Sequence, residues 1–306
     1  MDIQLPLCRL AVRDKVIITS SRGTRDCVWF DNLITDTGLD QISNVPLGTG
    51  NVPYLFTQAY VGTGDTPPAF SDSSLADYLA SSDVVESTGI NREGEGRPPY
   101  WRYVRTYTFA PGTVTGVLSE VGVGYTKDTL FSRALIVDVL GRISPITVLA
   151  DEGIQLVYEL RSYINSGDVL QTISIDGNIP SLSGVYNITI RPAAITAAKP
   201  INIGVGYSHT NVALYSGVIQ NNTLVPLGSS TSLSTYVIPT TYTPGSFISI
   251  IAFSFATTSG NYTEGVKAVR ITNSQCDFQV GFVPPIPKDI TMRLTLNITF
   301  QYGRFL

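Results

Sequence analysis

Residues 153–161 read GIQLVYELR, and apolar residues alternate with polar ones through most of this stretch. Alternation with a period of two puts successive side chains on opposite faces, which is typical of a β-strand with one buried face. The sequence therefore predicts an all-β fold of antiparallel, half-buried strands. The same pattern recurs at 102–110 (RYVRTYTFA), 248–256 (ISIIAFSFA) and 293–302 (RLTLNITFQY).

The composition also favours strands. The 306 residues include 27 Gly and 18 Pro, only 14% are charged, and the apolar residues are rich in Val, Ile, Tyr and Phe. These residue types are common in sheets and in the turns between strands. A chain of this length can form two ordinary domains, each with its own hydrophobic core.

An internal repeat predicts how the strands divide into domains. Residues 107–123 align without a gap on residues 253–269, and both contain an alternating strand, a Gly/Thr turn and a second strand. We interpret the repeat as a duplicated antiparallel β-sandwich of jelly-roll or Ig-like type; chance similarity between unrelated β-segments is the alternative. The predicted organisation is an N-terminal arm or hairpin at 1–29, a first sandwich at 30–163, a linker at 164–175 and a second sandwich at 176–306.

Helix is predicted in only two short segments. The first is TDTGLDQI at 35–42, with Asp31 or Thr35 as its N-cap. The second is SDSSLADYLASS at 71–82, where apolar residues recur at helical spacing. We therefore expect two tandem sandwiches with very little helix.

A glycine loop lies in VGTGDTPPAFSDSSLADYL, residues 61–79, and is either a phosphate-binding loop or a corner of a β-domain. A phosphate loop needs backbone N–H donors at a helix N-terminus. Here two prolines have no N–H, and Asp65 places negative charge where an anion would sit. A similar GVGYS occurs at 204–208 without prolines, so we interpret both as structural corners whose glycines supply positive φ. The corner glycines are Gly62, Gly64, Gly204 and Gly206.

The candidates for catalysis are few. His209 is the only histidine, and a lone histidine in a polar loop is usually structural. The carboxylate pairs at 151–152 and 93–95 lie in glycine-flanked loops, whereas a glycosidase pair needs one carboxylate in an apolar setting. The acids of DNLITDTGLD, 31–40, lack the spacing of a calcium loop. We predict a protein that is not an enzyme and has no catalytic residue, cofactor or metal site.

The charge and the cysteines limit the partners and the compartment. A net charge of −4 gives no broad basic footprint, so we expect no nucleic acid partner. No apolar run approaches the ~20 residues of a membrane span and no signal peptide is visible, so we expect no membrane insertion. Cys8, Cys27 and Cys276 are odd in number and lack metal-like spacing, which predicts free thiols in a chain folded in a reducing cytoplasm.

The segment INREGEGRPPYWRYVR, residues 90–105, concentrates arginine and aromatic residues. These residue types are enriched at protein–protein hot spots, and aromatic platforms also bind sugars. From residue 100 onward the alternation is that of a strand, so half of the aromatic side chains are expected in the core. We predict a partner contact around the loop tip at 92–99. Its residues are Arg92, Glu93, Arg97, Tyr100 and Trp101.

Several segments, taken in order, resemble a known family: FDNLITDTGLDQI, YVGTGDTPPAFSDSSLADYL, LSEVGVGY, LFSRALI and SPITVLADEGIQLVYELR. They are similar to the β-sandwich module of tailed-bacteriophage tail proteins of the tail-fibre, baseplate or collar type. The resemblance covers about residues 30–161, and where that family has Ala-Arg this chain has Ser-Arg-Ala at 132–134. The residues that match best are Gly62, Thr63, Gly64, Thr66, Pro68, Asp72, Leu75, Glu120, Val121 and Gly122.

The resemblance implies a structural, assembly-dependent role in the virion tail, with other phage tail proteins as partners and with no catalytic residues. It also implies a homo-oligomer made in the host cytoplasm. A mean hydropathy of +0.16 agrees with apolar surface buried between subunits. In addition, we expect the hairpin within residues 1–29 to pair onto a neighbouring subunit's sheet.

Other functions remain open at this point. A carbohydrate-binding module that contacts a host-surface glycan would place Tyr100, Trp101 or the tyrosines near 207 and 215 in an exposed groove. A glycan-degrading enzyme would need a carboxylate pair about 5–10 Å apart in a cleft. A decoration of the capsid is a further alternative.

Overall fold

The structure, a computed structural model, describes residues 1–43, 55–93, 100–163, 167–175, 183–194, 211–232, 236–237, 242–272 and 277–305. This part of the chain forms twenty-two strands and a single short helix, so the predicted all-β class is confirmed. The elements are β1 (Asp2–Gln4), β2 (Cys8–Ser20), β3 (Gly23–Asp26), β4 (Phe30–Ile34), α1 (Asp36–Ser43), β5 (Gln58–Gly62), β6 (Tyr78–Ser82), β7 (Val85–Glu93), β8 (Tyr100–Phe109), β9 (Gly116–Leu118), β10 (Glu120–Thr126), β11 (Thr129–Leu135), β12 (Ile146–Val148), β13 (Gly153–Tyr163), β14 (Val169–Ile175), β15 (Gly184–Ala193), β16 (Asn211–Tyr215), β17 (Ser230–Ser232), β18 (Tyr236–Val237), β19 (Ile248–Phe255), β20 (Val266–Thr272), β21 (Asp277–Ile286) and β22 (Leu294–Arg304).

The long strand β2 lies at the centre of the largest sheet. It pairs antiparallel with β13 over its whole length, from Thr19 opposite Gly153 to Arg9 opposite Tyr163. β13 continues to β8, and β8 to β7. Because side chains alternate along β2 and β13, valine, isoleucine and leucine side chains of both strands enter the core, while arginine and lysine stay on the outer face.

The second edge of β2 is divided among three partners. Its first residues pair in parallel with β22, its middle with β4 and its last residues with β3. The β2–β3 hairpin turns between Ser20 and Gly23, as the sequence predicts. Both edges of β2 are thus occupied within the chain. The expectation that the hairpin within residues 1–29 pairs onto a neighbouring subunit's sheet stays a prediction.

β4 joins the two layers of this part of the fold. Its first residues pair with β2, and Leu33 and Ile34 then pair with β11. From β11 the sheet continues through β10 and β5 to β6. At the far end Ser82 of β6 donates a hydrogen bond to the carbonyl of Thr108 in β8 (2.5 Å), so the sheet curls back toward its own beginning. The apolar faces of both layers contribute to one hydrophobic core.

The remaining strands form a six-stranded sheet, in the order β14–β15–β21–β20–β16–β17, a two-stranded sheet of β9 and β12, and a group β18–β19–β22–β1. The latter group belongs to the same sheet as β2, through β22. The segment predicted as a linker contains β14, which pairs with β15. The division of the chain into two tandem sandwiches, with a boundary at 164–175, stays a prediction.

The predicted helix at 35–42 is confirmed as α1. Thr35, one of the two candidate caps, accepts a hydrogen bond from the backbone N–H of Gly38 (2.9 Å) and so caps the helix. Gly38 lies against β11, where a Cβ would stand 2.3 Å from the carbonyl oxygen of Phe131. The glycine thus lets α1 pack closely on the sheet.

The predicted helix at 71–82 is wrong. Residues 70–77 form turns and bends, and the chain then enters β6, which pairs with β5. The backbone N–H groups of Ala76 and Asp77 donate to the carboxylate of Glu120. A carboxylate distant in sequence therefore holds this segment out of a helix.

Candidate functional site

The glycine corner at the end of β5 is built around a buried carboxylate. Glu120, the first residue of β10, is 0% exposed. Its carboxylate accepts the backbone N–H groups of Gly64 (3.1 Å), Ala76 (3.1 Å) and Asp77 (2.7 Å). The loop that follows the corner is thereby fastened to the sheet by side-chain to backbone hydrogen bonds.

Arg133 of β11 supplies the countercharge. Its Nε donates to Oε2 of Glu120 (2.9 Å), and its two Nη atoms reach the Asp72 carboxylate (2.5 Å) and the Thr66 carbonyl (2.8 Å). Like Glu120 the side chain is buried, at 3% exposure. The contacts with Asp72 and Thr66 fasten the glycine loop to Arg133. The contact with Glu120 completes the pairing that a buried ion pair requires.

Close approach, rather than positive φ, explains the glycines of this corner. A Cβ at Gly62 would stand 2.4 Å from the carbonyl oxygen of Asp77, and one at Gly64 would stand 2.4 Å from Oε1 of Glu120. Neither glycine has positive φ, so that part of the prediction is wrong. Gly204 and Gly206 lie outside the described residues.

The motif residues that carry the phage-tail resemblance meet at this corner. Gly62, Gly64, Thr66, Asp72 and Glu120 all contact the same ion pair or the loop it holds. The sequence argument did not identify Arg133 as the partner of Glu120, although an acid in a buried strand requires a cationic partner. These five residues and Arg133 thus form a single structural unit.

A cluster of three arginines lies on the outer face of the sheet that contains β2. Arg13 of β2, Arg102 of β8 and Arg161 of β13 surround Glu159, and we call these three arginines the arginine face. Their Nε atoms lie 2.8, 2.5 and 2.7 Å from the Glu159 carboxylate oxygens. The strand register brings them together, since Glu159 stands opposite Arg13, and Arg161 opposite Arg102.

All three guanidinium groups of the arginine face contact Glu159. Glu159 is 0% exposed, while the arginine side chains keep 22–28% of their surface. Burial by itself would raise the pKa of Glu159, but hydrogen bonds from Arg13 and Arg161 outweigh it and hold the pKa below its usual value. The carboxylate of Glu159 is therefore ionised at neutral pH.

Aromatic rings border the arginine face. Arg13 lies 4.4 Å from the ring centre of Trp29, and Arg161 lies 4.8 Å from that of Tyr100. The Tyr163 ring packs on Tyr100 at 5.3 Å and stacks on Phe305 at 3.9 Å. Guanidinium groups over aromatic faces are held in fixed orientations, which suits a binding surface.

The predicted partner contact overlaps this surface at one residue. Tyr100 lies in the aromatic border, and the backbones of Arg92 and Glu93 pair with residues 101 and 100 of β8. Arg97 lies outside the described residues, as do the side chains of Arg92, Glu93 and Trp101. The sequence argument missed Arg13, Arg161 and Glu159, although the alternation in GIQLVYELR puts the last two on one side of a strand.

A groove of about 770 Å³ adjoins the arginine face, and we call it the β2–β4 groove. Arg13, Arg161 and Tyr163 line one part of it, and aliphatic side chains line most of the rest. Asp31 also lines the groove and is exposed. Other lining residues are Ala11, Pro67, Pro68, Leu135, Ile143 and Phe305.

On the inner side of the same sheet lies a buried acid without a cation. Asp14 of β2 is 0% exposed and accepts a hydrogen bond from the Asn32 side chain. Its other carboxylate oxygen makes no hydrogen bond to the described residues. Burial raises the pKa of Asp14 to about 7, more than the Asn32 bond lowers it.

Only some of the other residues considered for catalysis, metal binding or disulfide formation lie in the described part of the chain. Glu152 accepts hydrogen bonds from Arg25 and from the Leu149 N–H, both at 2.8 Å. Cys8 and Cys27 are free thiols, and burial raises the pKa of Cys8 to about 11. His209 and Cys276 lie outside the described residues. Among the residues described, no three His, Cys, Asp or Glu side chains are grouped to hold a metal ion.

Within the described ranges no helix has the length and apolar character needed to cross a membrane. Comparison of the chain with protein-family models, with curated proteins and with solved structures gave no match. The likeness to phage tail proteins therefore rests on the sequence motifs quoted above and stays a prediction.

Proposed function

We propose that the chain is a structural subunit of a bacteriophage tail, of the tail, baseplate, collar or fibre-attachment type, and that it acts by binding neighbouring tail proteins. The observation that carries the proposal is the arginine face. Arginine and aromatic residues are the types enriched at protein–protein hot spots, and here they lie on paired strands rather than on a loop. A rigid surface of this kind loses little conformational entropy when a partner binds.

The glycine corner supports the same proposal from the structural side. Its motif residues bind one another, so their chemistry serves the shape of the subunit. The carboxylates of Glu120 and Glu159 likewise form ion pairs with arginine side chains. Both features fit a subunit whose task is to hold a defined surface against its neighbours.

Two measurements test the proposal. Light scattering on the purified chain should give a discrete oligomer of the 33.0 kDa subunit. Mass spectrometry of purified particles of the phage that encodes the chain should find it at a copy number that fits the tail symmetry. A chain that is monomeric and absent from the particles would overturn the proposal. Deletion of residues 1–29 is unsuitable as a probe, because it removes the central strand β2.

Binding of a host-surface glycan is a second candidate, favoured by the ring stack. Tyr163 and Phe305 are nearly parallel, at 15°, and Tyr100 adjoins them. Aromatic faces bind the apolar side of sugar rings. A glycan array probed with the intact chain, and again with Phe305→Ala, tests this candidate. Binding that depends on Phe305 would favour it, and an empty array would reject it.

A further inference from the structure

We propose that one internal water molecule bridges the side chains of Asp14, Asn32, Ser132 and Tyr158 and so links the two layers of the fold from the inside. We call these four residues the polar row. The inference is independent of the proposed tail function, because it concerns the interior of the subunit. It assigns to the core a binding site and the ligand that this site takes.

The polar row crosses four strands that lie side by side in the largest sheet. Tyr158 of β13 stands opposite Asp14 of β2, and Asn32 belongs to β4, the next strand. Ser132 of β11 follows, opposite Ile34 of β4. Each of the four polar side chains is at most 8% exposed. The row therefore runs through the core and passes from one layer to the other at β4, the strand that joins them.

Contacts within the polar row show that its side chains converge. The side-chain N–H of Asn32 donates to the Asp14 carboxylate. Burial raises the pKa of Tyr158 most, the nearby charge of Asp14 raises it further, and the Ser132 hydroxyl lowers it. The Tyr158 ring packs on Phe56 at 5.5 Å, and Phe56 packs at 4.8 Å on the residue before Ser132. The Tyr158 hydroxyl thus extends across the core from β13 toward β11.

Each member of the polar row has one polar atom without a hydrogen-bond partner among the described residues. These atoms are Oδ1 of Asp14, Oδ1 of Asn32, Oγ of Ser132 and Oη of Tyr158. A buried polar atom that makes no hydrogen bond destabilises the fold, and native proteins contain few of them. Four such atoms on adjacent strands therefore indicate a shared partner.

The balance of donors and acceptors identifies this partner as water. The ionised carboxylate and the amide oxygen only accept hydrogen bonds, whereas the two hydroxyl groups can donate. One water molecule donates two hydrogen bonds and accepts two, so it can satisfy all four atoms. Burial raises the pKa of Asp14 to about 7, and water suits this carboxyl group in either protonation state because it also accepts. A cation would bind the oxygens but would leave the hydroxyl hydrogens without an acceptor.

Arg105 of β8 does not take the place of the water molecule. It stands opposite Tyr158, on the side away from Asp14. Its guanidinium donates to the backbone carbonyl of Phe56. The shift in the pKa of Asp14 comes from burial and from Asn32, without a contribution from this arginine. The carboxylate of Asp14 therefore has no cationic partner among the described residues.

A crystal structure of the full chain, at a resolution that shows ordered solvent, tests the inference. We expect one solvent peak within about 2.6–3.2 Å of at least three of the four atoms. A peak about 2.4 Å from five or more oxygens would identify a cation and overturn the inference. Direct hydrogen bonds between the side chains of the row, with no peak among them, would overturn it as well.

Oxygen-17 magnetic relaxation dispersion tests the inference in solution, because its amplitude reports the water molecules held inside the chain. Ser132→Val removes a hydroxyl and fills its space, and Tyr158→Phe removes a donor with little change of shape. Each should lower the amplitude by about one water molecule. Ser254→Ala is the control, since this buried hydroxyl already contacts Thr295 and lies outside the row. Circular dichroism confirms folding; if Ser132→Val does not fold, Tyr158→Phe decides. An amplitude unchanged in the folded row variants would overturn the inference.

Discussion

Glu120 and Glu159 are both fully buried glutamates paired with arginine, yet their surroundings differ. Glu120 binds one buried arginine and three backbone N–H groups, whereas Glu159 binds three arginines that reach the surface. The positive charge of Arg133 is paired within the fold, because its guanidinium contacts both Glu120 and Asp72. The guanidinium groups around Glu159, by contrast, keep part of their surface exposed. Buried acids of the same type thus hold a loop in one region and gather three arginines at the surface in the other.

Glu120→Gln should have the largest effect on this comparison. The substitution leaves the buried Arg133 without its main countercharge, and loss of one partner of a buried pair costs about 3–5 kcal/mol. Urea denaturation of the variant and of the unmodified chain measures the free energy of unfolding. A loss below about 1 kcal/mol would mean that backbone contacts, rather than the ion pair, hold the corner.

Asp14→Asn sharpens the comparison with a buried acid that has no arginine. The pKa of Asp14 is about 7 in the folded chain against a usual 3.8, so the folded state resists ionisation. As pH rises from about 4 to about 7 the unfolded chain ionises first, and stability falls; above that range the loss is constant. The asparagine removes this penalty, so at pH 8 the variant should be more stable by roughly 2–4 kcal/mol.

Urea denaturation of both proteins at pH 4 and pH 8 checks this. The difference between the variant and the unmodified chain should be small at pH 4 and large at pH 8. A difference that does not change with pH would show that Asp14 does not titrate in the expected range.

Gly64→Ala tests whether the corner tolerates any side chain. The added Cβ would stand 2.4 Å from Oε1 of Glu120, which must move away from its two N–H donors, Gly64 and Asp77. We expect a loss of about 1–3 kcal/mol in the free energy of unfolding. Gly184→Ala is the matched control, because no atom lies within 4 Å of the Cβ it would gain, and it should change stability by less than about 0.5 kcal/mol.

Much of the fold follows from local pattern, and most of the two clusters does not. The alternating stretches at 102–110, 153–161, 248–256 and 293–302 correspond to β8, β13, β19 and β22, and Thr35 caps α1. The residues around Glu120 and Glu159 come from distant parts of the chain, and only strand pairing brings them together. For the same reason the segment at 71–82, whose composition favours a helix, is bent by a carboxylate more than forty residues away.

Glu159→Gln should have the smallest effect on stability and the greatest value for the comparison. The three arginines lose their shared carboxylate, but each is partly exposed and can be hydrated, so we expect a loss of only about 1 kcal/mol. The pKa of Glu159 is lowered in the fold, so its contribution to stability is present above the usual pKa of 4.5 and disappears as pH falls through the lowered value. Urea denaturation at pH 7 and pH 3 measures both effects. Loss of stability as large as that of Glu120→Gln would show that the two glutamates have the same structural role.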